Sequence, residues 1–289
     1  MPELLAQQIA PDLDVAGWAS DAVDWLLDNL AFIFGPLRTI VSALVGWVET
    51  LLVGPPVVVI LLAFTAIAFF AVGWAFALFT LAAFLLVDAM GHFEATMVSL
   101  ALVVVAALLA VAIGIPLGIL AARSSTASAV IKPLMDFMQT MPAFVYLLLA
   151  VIFFRIGVVP GVIASLVFSM PPAVRLTELG IRHVDREVVE AAEAFGATPR
   201  TVLTGVQLPL ALPSIMAGVN QVIMLALSMV VIAGLAGAGG LGGIIVEGVQ
   251  RLRVGLGFEG GLAVVILAIF LDRVTAGFGA GDAGARGTA

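Results

Sequence analysis

The side chains best suited to covalent, redox or metal chemistry are nearly missing from this sequence. There is no cysteine, which removes thiolate nucleophiles, disulfides and thiolate metal sites. Two histidines, His92 and His183, are too few for a metal cluster. Lys132 is the single lysine, and it sits in Val130-Ile131-Lys132-Pro133. A phosphate-binding loop needs its lysine in G-x-x-x-x-G-K-[ST], where the ammonium reaches the terminal phosphates of a nucleotide. ATP hydrolysis by this chain is therefore not expected, and energy must come from a partner or an ion gradient. Gly237-Ala238-Gly239-Gly240-Leu241-Gly242 fits G-x-G-x-x-G. That pattern binds dinucleotides only between a strand and a helix, with an acid about 20 residues on. Here it follows an apolar run, so a flexible loop at the end of a span is expected. No catalytic residue, cofactor or metal is predicted.

One polar stretch does have the spacing of a built element. Asp185 can cap a helix, with Glu187 and Glu190 in its first turns, where the helix dipole favours acids. Val188, Ala191, Ala192 and Phe195 then make an apolar stripe, and Gly196 can end the helix in left-handed geometry. Thr198-Pro199 starts a second helix, a capping residue followed by a proline at the first position. Leu208-Pro209 and Leu212-Pro213 are expected to break it. Two helices joined by a glycine turn, with small Ala191 and Ala192 leaving room for close approach, make a docking element for a partner.

The elements that must hold this loop are membrane spans. Of 289 residues, 63% are hydrophobic and 11% charged, against about 45–50% and about 25% in soluble domains. Backbone amides in lipid must be satisfied internally, so the long apolar runs are read as helices, and they lack the alternation of a β-barrel. The run from Val57 to Val87 is too long for one upright span and short for two. Gly73-Trp74 at its middle suggests two short helices with a turn between them. Further spans are predicted at about 95–122 (with a kink at Pro116), 140–157, 158–174, 214–236 and 257–273. The fold expected is an all-α polytopic membrane protein of about seven helices.

Basic residues favour the cytoplasmic side. Placing the 175–213 loop there gathers Arg175, Arg182, Arg186 and Arg200, and the alternation adds Arg123, Lys132, Arg273 and Arg286. Arg38, Arg155, Arg251 and Arg253 fall outside. The N-terminus is then outside and the C-terminus cytoplasmic. Residues 1–55 form an acidic extension, with Glu3, Asp12, Asp14, Asp21, Asp24, Asp28 and Glu49 against Arg38. They lack the basic start of a signal peptide. Leu37, Ile40, Val41, Leu44, Val48, Leu51 and Leu52 follow helical spacing, which suits either the membrane interface or packing on the spans. No basic footprint for nucleic acid exists.

Glu190-Ala191-Ala192, three residues, Gly196, nine residues, then Val206-Gln207-Leu208-Pro209 resembles the EAA motif of permease subunits of bacterial ABC importers, with Val where that family usually has Ile. Met138–Tyr146, Pro171–Leu176, Val206–Leu210, Pro213–Ile232 and Gly239–Gly242 are similar to the glycine betaine/proline betaine permease subfamily. The resemblance covers about residues 94–275. It implies a type I ABC transmembrane domain over 94–275, two accessory transmembrane helices over 56–90 and a flexible tail over 276–289. It also implies a multi-pass protein of the bacterial inner membrane. A second copy, two ATP-binding subunits and an extracytoplasmic substrate-binding protein are the implied partners. Glu190, Ala191, Ala192 and Gly196 would shape the docking surface for the ATP-binding subunit, and Leu208 and Pro209 the return to the membrane.

Candidates for the solute pathway are the polar and soft residues of the later spans: Gln139, Thr140, Asn220, Gln221, Ser228 and Met229. Each is equally open to a role in helix–helix bonding. Choline, carnitine or another small solute are alternative cargoes. An ion-coupled transporter is a rival reading, although Asp88, Asp136, Arg155, Glu178 and Asp272 all fall near predicted span ends rather than at mid-membrane.

Overall fold

A computed structural model describes residues 14–284, and the described backbone is helical between short turns. Helix α1 runs Val15–Val53, α2 Val57–Ala71, α3 Trp74–Ala89 and α4 Phe93–Arg123. Helices α5 Ser125–Thr140, α6 Ala143–Phe154 and α7 Val158–Arg182 follow, then the short α8 Arg186–Ala194 and α9 Pro199–Val202. The chain ends in α10 Leu208–Ala233, α11 Gly240–Gln250 and α12 Val254–Gly284. The chain divides into two units at Ile40–Val41, inside α1.

The hairpin expected between 57 and 87 is present: Gly73 turns the chain with φ +127° between α2 and α3. At about 1.5 Å per residue these helices are shorter than a bilayer core of about 30 Å. Phe64, Phe84 and Phe270 hold the hairpin against α12, with ring centroids 4.9 to 5.4 Å apart.

The centre of the second unit is α7 between α4 and α10, and small residues let the backbones approach. A Cβ on Gly118 would stand 2.6 Å from both the Thr177 Cβ and the Val174 carbonyl. One on Gly114 would stand 2.8 Å from the Ala173 Cβ, so Gly114-x-x-x-Gly118 forms a flat strip for α7. On the other side, Gly180 meets Ala211 and Ser214, and Gly218 meets the Pro172 carbonyl. Lipid tails are as apolar as leucine, so dispersion at such short range is what favours association here.

Several expectations are corrected. The span expected at 140–157 is a bent pair: α5 and α6 meet at 97° across Met141-Pro142. Proline has no amide hydrogen and disfavours helix in the residue before it, which separates the two. The return from the loop is not broken at Leu208-Pro209 or Leu212-Pro213. Leu203–Gln207 forms a π turn, the Leu208 amide donates to the Leu203 carbonyl, and helix continues from Pro199 to Ala236. The wider turn makes room for the Pro209 ring that a tight α turn would not.

The Gly237–Gly242 segment is not a loose loop. Leu241 and Gly242 are buried, the Leu241 amide donates to Ser99 Oγ at 2.8 Å, and α11 begins at Gly240. Helix α12 runs on to Gly284, past the tail expected from 276; residues 285–289 lie outside those described. Of the acidic extension, residues 1–13 also lie outside. Its described part is the continuous α1, long and apolar enough to cross a membrane by length and composition, as are α4, α7, the Pro199–Ala236 stretch and α12.

Candidate functional site

Helix α8 forms as its residues dictate. Asp185 Oδ1 accepts from the Glu187 amide at 3.0 Å, and Glu187 sits in the first turn. At its far end Gly196 takes φ +82°, its amide donates to the Glu193 carbonyl at 2.8 Å, and the Ala197 amide donates to Ala192 at 3.1 Å. These bonds satisfy carbonyls that a helix end leaves open. Thr198 Oγ1 then accepts from the Thr201 amide at 3.3 Å to start α9.

No residue of α8 is buried. The predicted apolar stripe is turned outward: Val188 and Ala191 are exposed, Ala192 is half-buried, and Phe195 is 94% exposed. A cleft of about 560 Å³ between α8 and the ends of α4 and α7 is lined by Arg123, Arg182, Arg186, Glu190, Glu193 and Gln207. Glu190 is exposed on α8, while Leu208 and Pro209 are half-buried in the first turn of α10, well inside a continuous helix. The loop therefore presents an apolar face bounded by charge, and no described residue covers it.

The pathway candidates separate into three groups. Met229 is 0% exposed and packs in the core. Asn220 is occupied: its amide donates to Asp272 Oδ1 at 2.8 Å, and its carbonyl oxygen accepts from Thr275 Oγ1 at 2.8 Å. It ties α10 to α12. Asp272 lies within α12, near the end of its apolar stretch at Gly277. Gln221 and Ser228 lie on an exposed strip of the Pro199–Ala236 stretch with Leu210, Ala217 and Leu235. Gln139 and Thr140 are exposed at the end of α5, just before the bend. Tyr146 Oη donates to the Met138 carbonyl at 2.5 Å, folding α6 back on that end.

Sequence reasoning passed over the polar cluster at the loop-side end of α7. Glu178 is buried there, accepting from Ser128 Oγ at 2.8 Å and pairing with Lys132 and Arg182. Its available signal was the i, i+4 spacing of Ser128 with Lys132 and of Glu178 with Arg182.

The profile of the family described as "Binding-protein-dependent transport system inner membrane component" matches residues 114–279, more than half of the chain. The chain belongs to this family. It is a multi-pass inner-membrane permease component of an ABC importer, which sets the ion-coupled reading aside. An ATP-binding subunit and a substrate-binding protein are the partners that membership implies. Among its relatives is the "Glycine betaine/proline betaine transport system permease protein ProW" of Escherichia coli strain K12. The two are 46% identical over 91% of this chain and 74% of that one. The "Glycine betaine transport system permease protein OpuAB" of Bacillus subtilis is 45% identical over 92% of this chain and 94% of that one. The "Glycine betaine/carnitine transport permease protein GbuB" of Listeria monocytogenes is 46% identical over 93% and 96%. In structure, the permease resembles a chain of the MetNI methionine ABC transporter in an inward-facing conformation. The TM-score is 0.58 at 22% identity, covering 64% of this chain and 92% of that chain. That likeness is one of fold, the type I importer transmembrane domain.

Proposed function

We propose that this permease carries glycine betaine or a closely related quaternary ammonium solute. In this reading two copies form the pathway, and each docks α8 on one of two ATP-binding subunits. The observation that carries the cargo is identity of 45–46% across more than nine-tenths of the chain with three permeases named for glycine betaine. The carnitine in the name of the Listeria relative supports carnitine as the second candidate.

Docking through α8 is supported by its outward apolar face, with Glu190, Ala191 and Ala192 beside the Gly196 turn. A second copy is supported by the uncovered strip of α10 through Ala217, Gln221 and Ser228. Gln221 and Ser228, with Gln139 and Thr140 on α5, are the polar groups we assign to the pathway. When the partners close on ATP, the docked helices draw together and the spans rock between outward- and inward-facing states.

For orientation, the loop after α7 and the C-terminus are cytoplasmic on the distribution of arginines. The acids Asp21, Asp24 and Asp28 within α1 support an N-terminus that stays outside. The length of α1 supports the other arrangement, in which it crosses and the N-terminus is cytoplasmic. An alkaline phosphatase or fluorescent protein fused at the N-terminus separates the two.

The test is reconstitution of the permease with its ATP-binding subunit and binding protein in vesicles. ATP-dependent uptake of labelled glycine betaine is expected, with weaker uptake of carnitine and choline. Preference for either of those replaces glycine betaine by that relative, no uptake of any of the three overturns the cargo class, and gradient-driven uptake by the permease alone overturns the scheme.

A further inference from the structure

Between the docking helix and the pathway stands a buried carboxylate that the transport reading leaves unused. Glu178 lies one turn before the end of α7, with its side chain 5% exposed. It accepts from Ser128 Oγ at 2.8 Å, from Lys132 Nζ at 3.2 Å and from Arg182 Nε at 2.8 Å. Arg182 also donates through Nη2 to the Ala121 carbonyl in the last turn of α4, at 2.8 Å. Two turns further along α5, Asp136 pairs with Arg175. Ser128, Lys132 and Asp136 are four residues apart and so share one face of α5, the face turned to α7. Val130, Leu134 and Phe137 on the rest of α5 are exposed.

The bonds of Glu178 and Arg182 tie α5, α7 and α4 together, with the Asp136–Arg175 pair as a second, separate tie between α5 and α7. Only residues 183–185 separate Arg182 from α8, and α5 ends in Gln139 and Thr140. A buried carboxylate is costly unless its lone pairs are filled, so Glu178 fixes where its three donors stand. We propose that Glu178, with Ser128, Lys132 and Arg182, is a positioning cluster that makes α5 follow the end of α7 when the docked α8 moves. It thereby links ATP hydrolysis to movement of the pathway. The proposal rests on α8 being the docking helix and on Gln139 and Thr140 lining the pathway.

The test uses the full transporter with Glu178→Gln and, separately, Lys132→Met. The Gln variant keeps shape and removes charge. Lys132 has a side chain 56% exposed, and Ser128 and Arg182 still bond Glu178 without it, so its replacement is the milder of the two. Assembly with the ATP-binding subunit, ATP hydrolysis and solute uptake are measured on the same vesicles. In both variants uptake per ATP is expected to fall about tenfold, within the range of ordinary coupling effects, with assembly and hydrolysis kept. Lys132→Met decides the matter if Glu178→Gln fails to assemble. Unchanged uptake per ATP in Lys132→Met, or its loss of assembly, overturns the proposal, the latter because the cluster would then serve only to hold the fold. Failure of the wild-type complex to take up solute with ATP is a different result and strikes the transport reading instead.

Discussion

Gly196→Val isolates one backbone angle. Gly196 has φ +82°, and a Cβ there would meet nothing within 4 Å, so the substitution adds strain without a clash. Left-handed geometry costs a non-glycine residue about 1–2 kcal/mol, and a β-branched residue lies at the upper end or beyond. Helix α8 would then leave its present end for a fraction of the time set by that cost. One to two kcal/mol is a factor of about 5–30 in population. Apparent affinity for the ATP-binding subunit scales with the fraction in the binding shape, so its Kd is expected to rise by up to that factor. Asn tolerates left-handed geometry better, and Gly196→Asn is expected to lose much less. The assay is titration of the ATP-binding subunit onto the permease in nanodiscs, with protein yield in the membrane as the control for insertion. Wild-type affinity in Gly196→Val, or equal losses in the Val and Asn variants, would refute the angle as the determinant.

Four further outcomes are expected. Phe195→Ser, at the 94% exposed aromatic of the proposed docking face, should weaken binding of the ATP-binding subunit by about 2 kcal/mol or more, as truncated aromatic anchors do, and leave thermal stability unchanged. Gly118→Ala places a methyl 2.6 Å from Thr177 and Val174, and overpacking of about 1–3 kcal/mol should lower the midpoint of thermal inactivation of the purified permease. Asn220→Ala removes two bonds between α10 and α12 worth about 0.6 kcal/mol each on average and should cut stability modestly. Ser228→Leu on the exposed strip should do the reverse, changing uptake and sparing stability.

The loop proposed for docking was legible because its signals are local. Asp185, Gly196 and Thr198-Pro199 each act on the backbone within one turn, and all adopt the geometry their types favour. Residues that act across the fold were not. Met229 and Ser228 are neighbours in sequence, yet one is in the core and the other exposed, and only the packing of α10 on α7 settles which. The amphipathic α5 escaped notice since Lys132, Pro133 and Asp136 interrupt its apolar run. The π turn at Leu203–Gln207 overrode the expected breaks because helix irregularity can absorb a proline as well as end at one. The Gly237–Gly242 segment misled for a related reason. Many glycines suggest looseness in one dimension, whereas here they allow Gly234 to lie against Gly242.

The unbroken helix from Pro199 to Ala236 has a mechanical consequence. Its 38 residues span roughly 57 Å at about 1.5 Å each. With the proposed docking turn at one end, it would act as a lever moved from that end. A tilt of about 5° about its base sweeps the far end through roughly 5 Å, the width of one helical turn. At that far end lies the close glycine contact with Gly242, which has no side chain to yield. Small strokes at the proposed docking end would thus arrive amplified at a contact with little slack.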